Sequence, residues 1–223
     1  MHALTRRIRR ELKAQADPRK AAAMQAYMKT DQPFFGVMAG PQRDIASAAC
    51  GDFPDLRREE WEIVIRELWN GSHREEMHQA LHVAQHYKWY RGPDAWPLIE
   101  RLVHEATNWD TLDWVAGRFV SELVLEYPRF EHELARWSKS EKFWVRRASL
   151  LAHLRHKERT NTKLLAATIL RLAHEKEFFI RKAIGWILRE YSKTNPEWVR
   201  SFVEMHGDRL SGLSRREALK RLG

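Results

Sequence analysis

Apolar residues recur along most of the chain at the spacing of amphipathic helices. The segment "REEWEIVIRELW" places five of them at the i, i+3, i+4, i+7 and i+8 positions of one helix face: Trp61, Val64, Ile65, Leu68 and Trp69. No stretch alternates apolar and polar residues as a strand would, and "GDFPD" and "GPDAWP" are typical of breaks between helices. The pattern predicts an all-α fold.

Three candidate helix starts support this prediction. Asn108 precedes a helical pattern as an N-cap residue, and Asn195 does the same with Pro196 at the first helical position. Ser214 and Glu217 have the spacing of a capping box, in which each side chain bonds the other residue's backbone N–H. We therefore expect helices to begin at these three points.

The helices also repeat with a period of 35 residues. "EKFWVRRASLLAHL" at 141 aligns with "KEFFIRKAIGWILREY" at 176, and the matching pairs are Phe143 with Phe178, Trp144 with Phe179, Arg146-Arg147 with Arg181-Lys182, and Ala148 with Ala183. Periods in the thirties to forties with two helices each indicate HEAT-like repeats. We expect an α-solenoid that forms one domain over residues 1–223, with a concave binding face.

Counting one more period of 35 residues toward the N-terminus aligns an aspartate with the two later repeats. Thirty-five residues before Trp144 lies Trp109, so Asp113 falls where the later repeats carry alanine. The cationic pairs Arg146-Arg147 and Arg181-Lys182 are then expected to form a basic stripe beside Asp113. Residues 142–165 carry seven Lys or Arg and one acid, but such a run is usually a solvated helix face, and only the repeat register ties Arg147 and Lys182 to Asp113.

Charge narrows the choice of partner. The 223 residues carry a formal net charge of +9, which favours a polyanion, and nucleic acid is favoured over anionic lipid because no basic helix exposes a bulky apolar face. Cys50 is the only cysteine, so neither a disulfide framework nor a thiolate metal cage is expected. With no apolar run of membrane-spanning length and no signal-peptide pattern, we expect a cytoplasmic protein.

Five motifs are spread in order over nearly the whole chain: "YMKTDQPFFGV" at 27, "NWDTLDW" at 108, "WVRRAS" at 144, "FFIRKAIGWILREYSKTNP" at 178 and "LSRREALKRL" at 213. They resemble those of the AlkD family of bacterial DNA alkylation-repair enzymes. Members of that family are HEAT-like-repeat DNA glycosylases that remove N3- and N7-alkylated purines. The resemblance implies the same fold, double-stranded DNA with alkylated purines as the partner, and action at the bacterial nucleoid.

The resemblance also implies roles for five residues. Asp113 matches the catalytic aspartate, and Trp109 and Trp186 match the tryptophans that flank the abnormal nucleotide. Arg147 matches an arginine that contacts the DNA backbone near the lesion, and Tyr27 matches an aromatic residue at the cleft. It further suggests that the lesion stays stacked in the duplex, in contrast to the usual flipping into a deep pocket.

Further DNA-binding candidates accompany these residues. Arg146, Arg181 and Lys182 join Arg147 through the repeat register, and Arg43 in "VMAGPQR" is another candidate. One position departs from the family pattern, because Met38 stands where a glutamine is expected. If that glutamine contacts DNA in relatives, its loss affects binding strength or substrate range rather than the reaction.

The chemistry that the resemblance implies is base excision by a monofunctional glycosylase. A cationic alkylpurine is already a good leaving group, so the enzyme has only to stabilise positive charge on the sugar. A carboxylate at about 4 Å contributes roughly 4 kcal/mol at an effective dielectric constant near 20. No metal, organic cofactor or lysine nucleophile is needed. A solenoid buries its own core, so we expect a monomer with no obligate protein partner and no membrane contact.

Other interpretations of the same residues remain open. Asp110 and Asp113 lie in the first turns of a helix, where its dipole favours acids, and we leave Asp110 with that interpretation. Most of the ten tryptophans belong to a core, and we assign Trp61, Trp69 and Trp114 there. The alternative function is a non-catalytic HEAT-like module that binds damaged or branched DNA. A protein–protein scaffold is least favoured, given the charge of +9.

Overall fold

The computed structural model describes residues 1–222, and within them every regular element is helical. This confirms the predicted all-α class. No helix of the described chain combines the length and the apolar character needed to cross a bilayer. The chain divides into two compact units, Met1–Leu98 and the residues from Ile99 onward. That one domain spans residues 1–223 stays a prediction.

The first unit is built from α1 to α5 and the start of α6, and the chain passes into the second unit within α6. Short 3₁₀ turns at Lys88–Tyr90 and Pro93–Ala95 connect α5 to α6. The helices are α1 (Ala3–Ala14), α2 (Pro18–Met28), α3 (Ala39–Gly51), α4 (Arg58–Trp69), α5 (Arg74–His86) and α6 (Trp96–Glu105).

The core of the first unit forms where α3 and α4 pack on α5 and α1 packs on α3. All five apolar residues predicted for one face of α4 are buried. On α1, the i, i+4, i+8 series Leu4, Ile8 and Leu12 is fully buried, while the arginines between them lie on the other side of the helix. The spacing of apolar residues therefore determines which faces of these helices pack together.

The segment between α2 and α3 is held by a buried carboxylate. Glu75 accepts backbone N–H bonds from Phe35 at 3.0 Å, Gly36 at 2.8 Å and Val37 at 3.1 Å. Gly36 has a φ of +88°, and a Cβ atom there would lie 2.1 Å from the carbonyl oxygen of Asp17. Only glycine fits this position, because the backbone is left-handed and the neighbouring chain is too close for a side chain.

The second unit continues as a series of helices with a π-helical turn and two 3₁₀ turns, Pro128–Phe130 and Lys157–Arg159. α7 (Trp109–Trp114) runs through a π-helical turn (Val115–Val120) into α8 (Ser121–Glu126) without a break. The remaining helices are α9 (Glu131–Trp137), α10 (Phe143–Leu151), α11 (Thr162–Leu172), α12 (Phe178–Tyr191), α13 (Pro196–His206) and α14 (Gly212–Leu219).

The predicted repeat is visible in this unit. α10 and α12 begin at Phe143 and Phe178, 35 residues apart, and pack against each other, and α10 also packs on α7. The equivalent residues Ala148 and Ala183 are both fully buried, which fits their shared place in the repeat. The helix that carries "NWDTLDW" is thus the neighbour of α10, as the period predicts.

Helix starts were predicted with one error. Asn108 and Asn195 do cap α7 and α13, their side-chain oxygens accepting backbone N–H groups at 2.8 and 2.9 Å. The prediction for Ser214 was wrong, because α14 begins at Gly212 and the capping residue is Ser211, whose hydroxyl accepts the N–H of Ser214 at 3.1 Å. Ser211 has the extended backbone that a cap requires, whereas Ser214 lies inside the helix and is buried.

Of the three tryptophans predicted to lie in the core, two are buried and one is not. Trp61 and Trp69 are buried in the first unit, as predicted. Trp114 is only half-buried, and the guanidinium of Arg118 lies 5.7 Å from the centre of its ring. The prediction for Trp114 was wrong because it assumed that the ring is covered by apolar side chains, whereas one of its neighbours is a cation at i+4 on the same helix run.

Candidate active site

The centre of the site is an ion pair between α7 and α10. Asp113 lies one turn after Trp109, and its side chain keeps 16% of its surface exposed. The Nε and Nη2 atoms of Arg147 donate to Oδ1 and Oδ2 of Asp113, both at 2.8 Å. Arg147 itself is only 4% exposed, so the carboxylate is the part of the pair that solvent can reach. A planar guanidinium bonded through two parallel N–H groups fixes the orientation of the carboxylate.

The remaining nitrogen of the Arg147 guanidinium, Nη1, is also hydrogen-bonded. Its Nη1 donates to the carbonyl oxygen of Phe179 on α12, and its central carbon lies 5.7 Å from the centre of the Phe179 ring. Arg147 therefore connects three consecutive repeat helices and faces Asp113. The direct contact with the DNA backbone that the resemblance implies for Arg147 stays a prediction, and in this structure the side chain serves Asp113.

Burial determines the acidity of the carboxyl group. It raises the pKa of Asp113 above its ordinary value of 3.8, and the hydrogen bonds and charge of Arg147 oppose the rise, while the nearby charge of Asp110 adds to it. A carboxylate with a raised pKa accepts a proton more readily than an exposed aspartate does. The group can therefore act both as a fixed negative charge and as a proton acceptor.

The three helices that Arg147 connects also carry aromatic side chains. Trp109 is half-buried on the same helix as Asp113. Trp186 is half-buried on α12, seven residues and about two turns after Phe179, so the two share one helix face. Phe179 also packs on Trp144, with ring centres 4.9 Å apart. The sequence analysis assigned no site role to Phe179, although its place in the repeat and its spacing from Trp186 were available signals.

The predicted basic stripe is partly neutralised by acids. Arg146 donates to both carboxylate oxygens of Glu175 at 2.6 and 2.8 Å, and Lys182 pairs with Glu217 at 2.9 Å. Arg181 is half-buried next to Lys182. Because two of the candidate cations have acidic partners, they carry less net charge toward solvent than the sequence alone indicates. Their role in DNA binding stays a prediction.

Side chains that follow α10 also hydrogen-bond the backbone shortly after Asp113. In a π-helical turn the i→i+5 pattern leaves backbone groups without their usual partners. Nε of Arg155 lies 3.0 Å from the carbonyl oxygen of Gly117 and donates to it, and Nε2 of His156 lies 3.0 Å from the carbonyl oxygen of Ser121. The segment after α10 thus satisfies this part of the backbone. The sequence analysis missed both residues because nothing in the local pattern predicts a π turn.

Two of the DNA-binding candidates belong to the first unit and are exposed there. Tyr27 at the end of α2 is 75% exposed, and Arg43 on α3 is exposed as well. Met38, which stands where the family pattern has glutamine, is exposed and directly precedes α3. The next glutamine, Gln42, is buried and donates to the carbonyl oxygen of Val37 at 2.7 Å. Gln42 is therefore used inside the fold and does not replace the expected surface glutamine.

Metal-binding side chains do not assemble in the part of the chain that the structure describes. No group of three or more His, Cys, Asp or Glu residues there is placed to hold an ion. The buried Cys50 is a free thiol.

Comparison with known proteins identifies the family of the chain. The family model described as "DNA alkylation repair enzyme" matches residues 8–222. A structure of a predicted DNA alkylation repair enzyme from Enterococcus faecalis superposes with a TM-score of 0.86 at 31% identity, covering 94% of this chain and 97% of that one. Comparison with curated proteins finds no match.

Two Streptococcus mutans structures share the fold at lower identity. The protein smu.31 of strain UA159 has a TM-score of 0.64 at 15% identity, covering 99% of this chain and all of that one, 100%. AlkD2 has a TM-score of 0.60 at 16% identity, covering 91% and 97%. These two similarities confirm the helical-repeat architecture alone. From the family match over residues 8–222 and the 31% identity to the Enterococcus faecalis structure, the chain belongs to the DNA alkylation repair enzyme family.

Proposed function

We propose that this protein is a DNA glycosylase that releases cationic N3- and N7-alkylated purines, such as 3-methyladenine and 7-methylguanine, and leaves an abasic site. Membership of the family makes it an enzyme of alkylation-damage repair with DNA as its partner. The glycosylase reaction, its substrates, a monomeric state and action at a bacterial nucleoid in the cytoplasm are our proposal.

The observation that carries the proposal is the orientation of Asp113. Its carboxylate keeps part of its surface exposed while the buried Arg147 grips both oxygens from the protein side. A carboxylate held in this way is fixed before the substrate arrives, so no reorganisation is needed when positive charge develops in front of it. It is also the group that the resemblance identifies as catalytic.

The proposed step is hydrolysis of the bond between C1′ of the sugar and the purine nitrogen. The bond electrons move to the purine and neutralise its positive charge, while C1′ becomes cationic. Asp113 stabilises that cation, and the oxygen of a water molecule then bonds to C1′. The proton that this water loses passes to the Asp113 carboxylate and from there to solvent, which the raised pKa of Asp113 favours.

Coulomb's law gives the size of the stabilisation that the Asp113 carboxylate provides. At about 4 Å and an effective dielectric constant near 20, a full negative charge stabilises the cation by roughly 4 kcal/mol, or on the order of a thousandfold in rate. The guanidinium of Arg147 behind it cancels part of this field. We therefore expect Asp113 to contribute between about a hundredfold and a thousandfold.

The aromatic residues suit a cationic ligand. Tryptophan rings attract positive charge to their faces and displace water, which strengthens the effect of a nearby carboxylate. Trp109 and Trp186 are half-buried, so part of each side chain is accessible. We propose that they pack against the damaged nucleotide, and that this contact favours alkylated purines over neutral ones.

The experiment compares the wild type with Asp113→Asn on a duplex that contains a single N7-methylguanine. Base release is scored as alkali-labile strand cleavage under single-turnover conditions. We expect release by the wild type and a loss of at least about a hundredfold in the variant, because asparagine keeps the shape and removes the charge. Binding to undamaged duplex is expected to be the same for both proteins, since the substitution removes no phosphate contact.

Two outcomes would contradict the proposal. Full base release by Asp113→Asn would remove the carboxylate from the mechanism. No release by either protein, with salt-sensitive DNA binding retained, would identify the chain as a DNA-binding relative that lacks glycosylase activity on this lesion. A duplex with 3-methyladenine, run in parallel, keeps the second conclusion from depending on a single substrate.

A further inference from the structure

A surface cavity of about 430 Å³ lies in the second unit, and its lining includes Arg146, the residue before Arg147. It is formed by the loop before α10, the start of α10 and the end of α11. Its polar lining includes Lys139, Ser140, Arg146, Arg171, His174 and Glu175. None of these residues except Arg146 had a role in the site described above.

The charges of this lining do not cancel. Arg146 and Glu175 form a bidentate pair with N–O distances of 2.6 and 2.8 Å and neutralise each other. Lys139 and Arg171 are exposed and make no ion pair with any residue among 1–222. The cavity therefore keeps two unpaired positive charges.

Hydrogen bonds of Arg146 fix one wall of the cavity. Nη1 of Arg146 donates to the carbonyl oxygens of Ser140 and Glu141, at 2.7 and 2.8 Å, and so fixes the loop to α10. The N-terminal end of the α10 dipole favours an anion, while the C-terminal end of α11 at Leu172 acts against one. Because the helix ends oppose each other, Lys139 and Arg171 decide the preference.

We propose that this cavity binds a phosphate of the DNA backbone. A phosphodiester is a compact anion whose oxygens accept hydrogen bonds from lysine, arginine and serine, which is the donor set present here. Arg146 directly precedes Arg147 of the candidate active site, so the cavity and that site share helix α10. This inference rests on the proposed function in one respect, namely that DNA is the ligand.

The test is the salt dependence of binding to an undamaged duplex. The variant Lys139→Gln/Arg171→Gln removes the two unpaired charges of the cavity. The control Lys163→Gln/Arg216→Gln removes the same charge from two exposed residues outside it. Each phosphate contact contributes about 0.9 to the slope of log K against log salt concentration. We expect the cavity variant to lose about 0.9 of slope and the control to lose less than half of that.

A second variant is expected to change binding in the opposite direction. Glu175→Gln removes the only acid of the lining, while the bonds of Arg146 to Ser140 and Glu141 keep its guanidinium in place. The freed charge is expected to tighten binding to the same duplex and to steepen the salt slope. Thermal unfolding of each variant ensures that the compared proteins are folded.

Equal slopes for the cavity variant and the control would overturn the assignment, as would weaker binding by folded Glu175→Gln. Calorimetric titration with inorganic phosphate separates the two sources of the anion. Phosphate binding that the cavity variant loses, without a change in the DNA slope, would assign the cavity to a free anion and overturn the DNA assignment. A wild type that binds no duplex at all would overturn the proposed function itself. If the wild type binds duplex and the cavity variant has the same salt slope, only the assignment of a phosphate to the cavity is overturned.

Discussion

Arg147 grips both carboxylate oxygens of Asp113 at 2.8 Å while a third N–H group reaches the carbonyl oxygen of Phe179. The pair links the helix of the candidate catalytic residue to the two repeats that follow it. Its members differ in exposure, since Asp113 has 16% of its side-chain surface exposed and Arg147 has 4%. The guanidinium is thus a fixed support, and the carboxylate is the accessible group.

Arg147→Gln is expected to move the acid limb of base release to higher pH. The active form of Asp113 is the carboxylate, burial already raises its pKa above 3.8, and Arg147 opposes that rise. Without the guanidinium the pKa rises further, so the carboxylate becomes protonated, and activity is lost, at a higher pH than in the wild type. Single-turnover base release between about pH 4 and pH 8 measures the limb.

The control for this profile is Arg216→Gln, which removes the same charge from an exposed residue of α14. It is expected to leave the acid limb where the wild type has it. An Arg147→Gln limb at lower pH than the wild type would reverse the assigned electrostatics. A limb that both variants shift equally would mean that net charge alone is responsible.

Arg155→Gln is expected to slow base release about tenfold and to change binding to undamaged DNA little. The substitution leaves the carbonyl oxygen of Gly117 without the charged donor that now lies 3.0 Å away, in the π turn directly after the helix turn of Asp113. A hydrogen bond to a charged group contributes about 1.5–3 kcal/mol when buried, and partial exposure reduces this. Single-turnover rates and duplex affinities are measured side by side.

Arg159→Gln is the matched control for Arg155, because Arg159 and its partner Glu126 are both exposed and 3.7 Å apart. Its base release is expected to equal that of the wild type. Equal rates for Arg155→Gln and the wild type would show that the π turn keeps its geometry without this bond.

Gly185→Ala is expected to destabilise the second unit by about 1–3 kcal/mol. An added Cβ atom would lie 2.4 Å from Cβ of Glu217 and 2.9 Å from the carbonyl oxygen of Ser214, so α12 and α14 would have to separate. At Gly51, the last residue of α3, an added Cβ atom meets nothing within 4 Å. Gly51→Ala is therefore expected to leave stability unchanged or to raise it by up to about 1 kcal/mol. Urea unfolding of both variants measures this difference in stability. Equal stability of Gly185→Ala and Gly51→Ala would contradict the prediction.

Stability is expected to fall as the pH decreases from about 6.5 toward 3, partly because of His153. This residue is buried, neither ring nitrogen has a hydrogen-bond partner among residues 1–222, and burial lowers its pKa from 6.5 to about 3. The unfolded chain therefore takes up a proton that the folded chain does not, and stability is complete only above about pH 6.5. The contribution of one such group is at most about 1.4 kcal/mol per pH unit.

The comparison that tests this uses His153→Leu and the exposed control His132→Gln, unfolded in urea at about pH 5 and about pH 7.5. The leucine variant is expected to lose less stability on acidification than the wild type, and the control is expected to behave like the wild type. Some dependence remains in His153→Leu because burial also lowers the pKa of His156. A wild-type pH dependence in His153→Leu would exclude His153 as its source.

The sequence predicted the features that depend on local pattern and period. The apolar stripe of α4 and the spacing of α10 and α12 follow from helix geometry, since burial of one face requires apolar residues every three or four positions. The N-caps Asn108 and Asn195 follow from the orphan N–H groups that every helix start must satisfy. Nothing beyond neighbouring residues is needed for these predictions.

Partners supplied from other helices could not be predicted in this way. The repeat register tied Arg147 to Asp113, and the resemblance implied a DNA contact for Arg147, but neither indicated that Arg147 pairs with Asp113 or that Arg146 pairs with Glu175. The π turn likewise depends on Arg155, which follows it by a whole repeat. The error at Ser214 has a different origin, since Ser211 and Ser214 are both acceptable caps and only the path of the chain selects one.

The anchor of the segment between α2 and α3 has a consequence for how this protein tolerates sequence change. Glu75 binds N–H groups of the main chain, which Phe35 and Val37 would still offer after almost any substitution. These hydrogen bonds therefore do not depend on which side chains stand at the two buried positions, with proline as the exception, because it has no N–H to donate. The conformation of this stretch is thus encoded about forty residues further along the chain, and a change at Glu75 would be felt next to Met38 without any mutation there.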